Sequence, residues 1–121
     1  MRLNVYMTFY KKLTVWQKAL RVSQMVYHLT ALFPKDQKFG LSSQMQRAAV
    51  SIMSNVAEGS KKTEKEWYYF IRIALGSAAE LESQLCLAES LHFGSENDYQ
   101  PIMEELGHVS RILQAISSKR Y

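Results

Sequence analysis

The sequence predicts an all-α fold, an antiparallel four-helix bundle of up-down-up-down topology, on three observations. Apolar residues recur at steps of three and four in four separate stretches, the spacing of one helix face. Breakers are scarce, with 5 glycines and 2 prolines in 121 residues, so the elements are long and the turns few. The links between the stretches are short, which makes consecutive helices antiparallel neighbours. Strand alternation, internal repeats and low-complexity tracts are absent from the sequence. The length fits one domain, 1–121, large enough to bury roughly two thirds of its unfolded surface without staples.

The first helix is expected over about 15–33, with Val15, Ala19, Val22, Val26, Leu29 and Phe33 on one face. Thr14 and Gln17 have capping-box spacing, and Pro34 closes the helix because its ring disfavours helical geometry at the preceding residue. The second spans about 42–58, with Met45, Ala49, Ile52 and Val56 inward and Gly59 as its stop. The third spans about 64–91, opening on a Thr63/Glu66 capping box and running through Trp67, Ile71, Ala74, Ala78, Leu81, Leu85 and Ala88 to a stop at Gly94. Gly76 inside it costs about 1 kcal/mol relative to alanine, so a close helix contact is expected there. The fourth spans about 97–117, with Tyr99, Ile102, Leu106, Val109, Leu113 and Ile116 as its stripe. Residues 1–12 show no period and are either a loose arm or a segment docking on another subunit.

Apolar residues at 47% and charged residues at 21% exclude intrinsic disorder. A single cysteine excludes an internal disulfide and suits a reducing compartment. The sequence has no apolar run of the ~18 residues that a membrane span needs, and its start lacks a signal-peptide core. The expectation is a cytoplasmic protein without a membrane partner. The net charge of +4 is uneven, since residues 1–78 hold 12 Lys/Arg against 4 Asp/Glu, and residues 79–121 hold 3 against 7.

Catalytic signatures are sparse, which leads to the expectation of a non-enzyme with no cofactor and no metal. A phosphate loop, an HExxH and a Cys-x-x-Cys are all lacking. His28, His92 and His108 fall on three different helices. Glu105-x-x-His108 is a literal match to half of a di-iron motif, and Glu89 with His92 sits at a helix end; both read as surface residues. Cys86 flanks the third helix's stripe beside Glu82 and Glu89, and is expected to be a buried, inert thiol. Glu80 and Glu82 are two apart on a helix, so their side chains diverge and serve no common substrate.

More informative is the polar line Arg47, Ser51, Asn55 and Glu58 on a helix otherwise rich in alanine and serine. It is either a solvated face or, together with Glu80, structural or interface polarity; on the second reading Asn55 and Glu58 are expected to hydrogen-bond neighbouring helices or backbone. Trp67 to Phe70 form an aromatic run beside Lys61, Lys62 and Lys65, a mixture suited to stacking and phosphate contact. Trp67 and Phe70 belong to the core, leaving Tyr68 or Tyr69 outward. Trp16, Leu20, Met25, Tyr27 and Leu32 widen the first helix's apolar face beyond one inward stripe, so self-association is expected. Up-down-up-down topology brings Lys11, Lys12, Lys18, Lys61, Lys62, Lys65, Lys119 and Arg120 to one end, against Glu58, Glu64 and Glu66. The opposite end holds Lys35 and Lys38 against Asp36, Glu89, Glu96, Asp98, Glu104 and Glu105. The eight basic residues are the candidate nucleic-acid contacts, made through phosphates with little sequence preference.

The pattern Phe39-Gly40-Leu41-x-x-Gln44-x-x-Arg47-Ala48-Ala49-Val50-Ser51-Ile52-x-Ser54-Asn55-Val56-Ala57-Glu58-Gly59 resembles the signature of the four-helix-bundle proteins encoded in bacterial 23S rRNA intervening sequences. Phe70-Ile71-x-Ile73-Ala74-x-Gly76-Ser77-x-x-Glu80-Leu81-Glu82-x-Gln84-Leu85 continues it, and the likeness covers about residues 15–94. Met53 departs from a common proline, which implies a straighter second helix. The resemblance implies an up-down bundle assembled as a homopentamer. It also implies a fold like that of the accessory protein of diversity-generating retroelements, a basic pentamer that binds nucleic acid and a reverse transcriptase. Two functions follow as expectations: an oligomeric RNA- or DNA-binding accessory protein, with a reverse transcriptase or another protein as further partner, or a protein-interaction scaffold with no nucleic acid partner.

Overall fold

The computed structural model describes residues 9–119. Four helices pack as an antiparallel bundle: α1 (Thr14–Thr30), α2 (Leu41–Gly59), α3 (Glu64–Ser90) and α4 (Tyr99–Ser118). Single 3-10 turns precede α1, α2 and α4, at Phe9–Lys12, Lys35–Gln37 and Glu96–Asp98. Helix α1 packs on α2, α2 on α3, α3 on α4, and α4 closes the ring against α1. The four stripes meet as expected. Ala19, Val22, Val26 and Leu29 of α1 are fully buried, with Met45, Ala49, Ile52 and Val56 of α2, Ile71, Ala74 and Leu81 of α3, and Val109 and Leu113 of α4. Each large aliphatic among them contributes about 1.5–3 kcal/mol relative to exposure.

Several helix ends differ from the sequence reading. Thr14 is not a cap: α1 starts one residue earlier in geometry, with Leu13 at the N-cap and no side-chain cap bond. The preceding 3-10 turn feeds straight in, Leu13 N–H donating to Tyr10 O at 3.0 Å, and the Gln17 side chain reaches back to Lys11 O instead. Helix α1 also ends at Thr30, not at Phe33. Leu32 and Phe33 make i→i+3 backbone bonds, a tightening that precedes the extended geometry imposed before Pro34. Phe33 is buried nonetheless. The Thr63/Glu66 capping box forms as expected, and Met53 sits in a continuous α2.

The glycines follow a different logic from the one expected. Gly59 is the last residue of α2 and its cap, Ser60, is right-handed, so no left-handed stop exists there. A Cβ at Gly59 would lie 2.8 Å from Phe70 Cβ and 3.1 Å from Trp67 Cε3, so the glycine serves close approach of α3. At the end of α3 the left-handed residue is His92 (φ 58), which lies beyond the helix. Phe93 N–H bonds Ala88 O and His92 N–H bonds Glu89 O, a Schellman arrangement without glycine. Gly94 (φ 70) follows, with Leu29 Cδ1 3.0 Å and Phe33 Cε1 3.2 Å from where a Cβ would stand. Tyr99 Oη ties this loop down by donating to Phe93 O at 2.8 Å; burial, then Glu89 and Asp98, push its phenol up to about 12, so it stays a donor. Gly76 is exposed with nothing within 4 Å of a Cβ, so the expected close contact is absent among the described residues. Cys86 is exposed rather than buried, because it lies one step off the stripe.

Glu105 joins α4 to α1. Its carboxylate accepts from Lys18 Nζ at 3.2 Å and sits 3.3 Å from Arg21 Nε and 3.2 Å from His108 Nδ1. Burial pushes the carboxyl up, but the hydrogen bonds from His108 and Lys18 and the charges of Lys18 and Arg21 outweigh it, leaving it below the ordinary carboxylate value. A depressed carboxyl adds stability that is complete above the ordinary value and is lost as pH falls through the lowered one.

Three substitutions test this account of stability. Gly76→Ala is expected to raise it by about 1 kcal/mol, since the helix gains propensity and meets no neighbour. Gly94→Ala is expected to lower it by about 1–2 kcal/mol through left-handed strain, and a melt at or above wild type would contradict that account. Glu105→Gln should lower stability at neutral pH by roughly 1 kcal/mol, because Lys18 and Arg21 are partly solvated. That deficit should shrink as pH drops below about 4; denaturant titrations of both proteins across pH measure it.

Candidate nucleic-acid interface

The register of α2 on α3 decides what stands at one end. Gly59 abuts Phe70 and Ser51 Oγ lies 2.8 Å from Ser77 Oγ, so Glu64–Tyr69 project beyond the last turn of α2. No residue from Glu64 to Phe70 is buried. Trp67 and Phe70 are half-buried against the core edge, and Tyr69 is exposed with its ring 5.4 Å from that of Phe70. The Phe9–Lys12 turn folds against the same end, Tyr10 resting edge-on to Trp16 at 5.0 Å with Lys61 Nζ 5.8 Å from its ring centre.

Lys11, Lys12, Lys61, Lys62 and Lys65 are therefore brought together, all exposed, with Lys119 capping α4 at that end. Among the described residues, none of these six lysines makes an ion pair. Their acidic company is Glu58, Glu64 and Glu66. Hydrogen bonds from the Thr63 side chain and backbone, aided by Lys62, hold the Glu66 carboxyl below its ordinary value and keep it in the capping box. Arg120 lies outside the described residues. Lys18 is committed to Glu105 and is not a free cation. Glu105 accordingly does not belong to the opposite end, as its sequence position suggested, because α4 is offset along α1 toward the basic end.

The polar line on α2 separates into parts. Asn55 Nδ2 donates to Ser51 O at 2.7 Å and to Ser51 Oγ at 3.0 Å, and Ser51 reaches Ser77 on α3. Arg47 and Glu58 are exposed and make no hydrogen bond or ion pair among the described residues, so the bond expected of Glu58 is not there. Glu80 accepts from Gln84 Nε2 on its own helix. His28, His92 and His108 stand apart, and among the described residues no three His, Cys, Asp or Glu side chains gather as metal ligands.

A second surface escaped the sequence reading. An open groove between the end of α1 and the start of α2 is lined by Tyr27, Thr30, Lys35, Lys38, Phe39 and Arg47, with further polar residues on its floor. Phe39 is 91% exposed. The available signal was an aromatic residue in a turn, outside any stripe and flanked by lysine and glycine.

The model of the 23S rRNA-intervening sequence protein family matches residues 11–115. A crystal structure of a protein of unknown function from the S23 ribosomal protein family of Bacteroides thetaiotaomicron superposes with a TM-score of 0.77 at 24% identity, covering 86% of this chain and 98% of that one. No curated protein matches. No helix among the described residues is long and apolar enough to cross a membrane. With an all-helical bundle on the page and a family match over nearly its whole length, the chain belongs to the 23S rRNA-intervening sequence protein family.

Proposed function

We propose that this chain is a non-enzymatic, self-associating accessory protein that binds RNA or DNA phosphates through the basic end of its bundle. The observation that carries the reading is the set of six exposed lysines without an ion pair among the described residues. Unpaired cations repel one another, and a polyanion relieves that repulsion while releasing its own counterions. Exposed Phe9 and Tyr69 add stacking surface at the same end. Self-association is supported by Leu32, Leu87 and Leu91, each about half exposed at the opposite end, and the family resemblance favours a homopentamer. In a closed ring whose bundles stand parallel to the ring axis, the basic ends share one face and their fields add. The same leucines favour a second reading, a scaffold whose partner is a protein, such as a reverse transcriptase. The cytoplasm, where nucleic acids and free thiols coexist, suits both readings.

The test is fluorescence anisotropy of a labelled RNA hairpin with wild type and Lys61→Glu/Lys62→Glu/Lys65→Glu at about 50 and about 200 mM salt. The triple variant is expected to bind at least tenfold more weakly, with a log–log salt slope shallower by about 2, and with unchanged helical circular dichroism. Equal binding by both proteins, or none by either, overturns the basic end.

A further inference from the structure

The groove between α1 and α2 faces the other end of the molecule, about 18–25 Å along α2 from the basic end. Its shape follows from the connecting turn. Pro34 ends the tightened close of α1, Lys35–Gln37 form the 3-10 turn, and the Gln37 side chain caps Leu41 N–H at 3.4 Å. Gly40 N–H bonds Gln37 O at 3.0 Å. This leaves Phe39 no place in the core and stands its ring at the rim, with Lys38 Nζ 5.5 Å from the ring centre. Tyr27, half exposed, forms the facing wall.

The floor is polar. Gln46 Nε2 donates to Thr30 Oγ1 at 3.0 Å, and that hydroxyl spends its proton on Val26 O at 2.9 Å. Gln46 Oε1 accepts no hydrogen bond among the described residues, and Ser43 lies beside it on α2. Lys35, Lys38 and Arg47 line the groove without an acidic residue among its walls, and none is ion-paired among the described residues.

A ligand matching these walls offers a flat apolar face to a ring, hydrogen-bonding edges to the floor and negative charge to three cations. An unpaired nucleotide has all three. A duplex hides the faces of its bases in its own stack, and an acidic peptide carries its charge and its flat faces on separate side chains, whereas a nucleotide joins them in one unit. We propose that this groove binds a single-stranded stretch of nucleic acid, a base stacking on Phe39 or Tyr27 and its phosphates lying against Lys35, Lys38 and Arg47. The groove shares no residue with the basic end, so the two surfaces can fail separately.

The experiment measures anisotropy of a labelled, unstructured oligouridylate of about a dozen nucleotides, alongside the hairpin, with wild type, Phe39→Ala/Tyr27→Ala and the lysine triple variant. Both aromatic side chains are outside the core, and thermal melts check that each variant is folded. The aromatic double variant is expected to lose tenfold or more in single-strand affinity and to bind the hairpin within about twofold of wild type. The lysine variant is expected to do the reverse. A wild type that does not bind the oligouridylate overturns the groove, as does a double variant that binds it undiminished. Equal affinity of the groove for a charge-matched glutamate-rich peptide assigns it to a protein and overturns the proposal. A double variant with altered mass in light scattering and unaltered oligouridylate binding assigns it to a second copy, with the same result.

Discussion

The close contact of α2 with α3 governs the arrangement of everything else. Ala48, Ala49, Ile52 and Val56 on one side meet Ile71, Ala74 and Ala78 on the other, all buried, with Gly59 letting Phe70 sit against the α2 backbone. Small side chains bring the two axes together, and the Ser51–Ser77 hydrogen bond can form only at that spacing. This contact sets the register. A shift by one turn would drive a Cβ-bearing residue into Phe70 and separate the serines. Because α3 is 27 residues long and α2 is 19, the register also decides which end of α3 overhangs. The overhang carries the aromatic run and Lys65, so a packing constraint in the core positions a surface far from it.

Charge is distributed around that frame with a clear division. The ion pairs among the described residues all converge on Glu105, where Lys18, Arg21 and His108 tie α1 to α4. The buried polar residues are few and uncharged, and Ser23 and Thr30 satisfy their hydroxyls on the carbonyls of their own helix. The remaining cations thus form no ion pair among the described residues. Antiparallel topology turns the sequence's front-to-back charge imbalance into an end-to-end one, but incompletely. Lys35, Lys38 and Arg47 form a basic corner within the otherwise acidic end, since the turn joining α1 to α2 belongs to the basic half of the chain.

The stripes were legible because burial imposes helical period on residue type, and nothing else in a chain this poor in glycine and proline competes with that period. Even Phe33, read as helical and found in a turn, is buried where its apolarity demands. Features that depend on what lies across from a residue were not legible. Thr14 and Thr63 carry similar capping spacing, yet only Thr63 follows a loop that leaves its hydroxyl facing the third amide. Gly59 looked like a terminator and is a contact, while Gly76 looked like a contact and faces open space. In both cases the deciding fact is a neighbour on another helix. The same holds for the candidate site. Topology and charge locate Lys61, Lys62 and Lys65, but the pairing of Lys18 with Glu105 depends on the offset of α4 along α1, which periodicity does not encode. The groove was invisible because Phe39 obeys no period.

Since the four stripes satisfy one another within a single bundle, any binding chemistry falls to residues outside them, at the ends and in the turns. Family membership therefore specifies the fold better than the function, which rests on surface residues. Under the proposed reading the two surfaces differ in physical character. The basic end consists of long, solvated lysine side chains that lose rotamer freedom when they engage a phosphate, so it contributes attraction and rate more than orientation. The groove is held by Pro34, the Gln37 cap and the Gln46–Thr30 bond, and its rings have few torsions to freeze. Pre-formed rings distinguish an unpaired strand from a duplex, which lysines contacting only phosphates do far less well. Long-range capture and strand selection would then reside on opposite ends of one rigid bundle, and a nucleic acid with a helical stem beside an unpaired stretch would satisfy both.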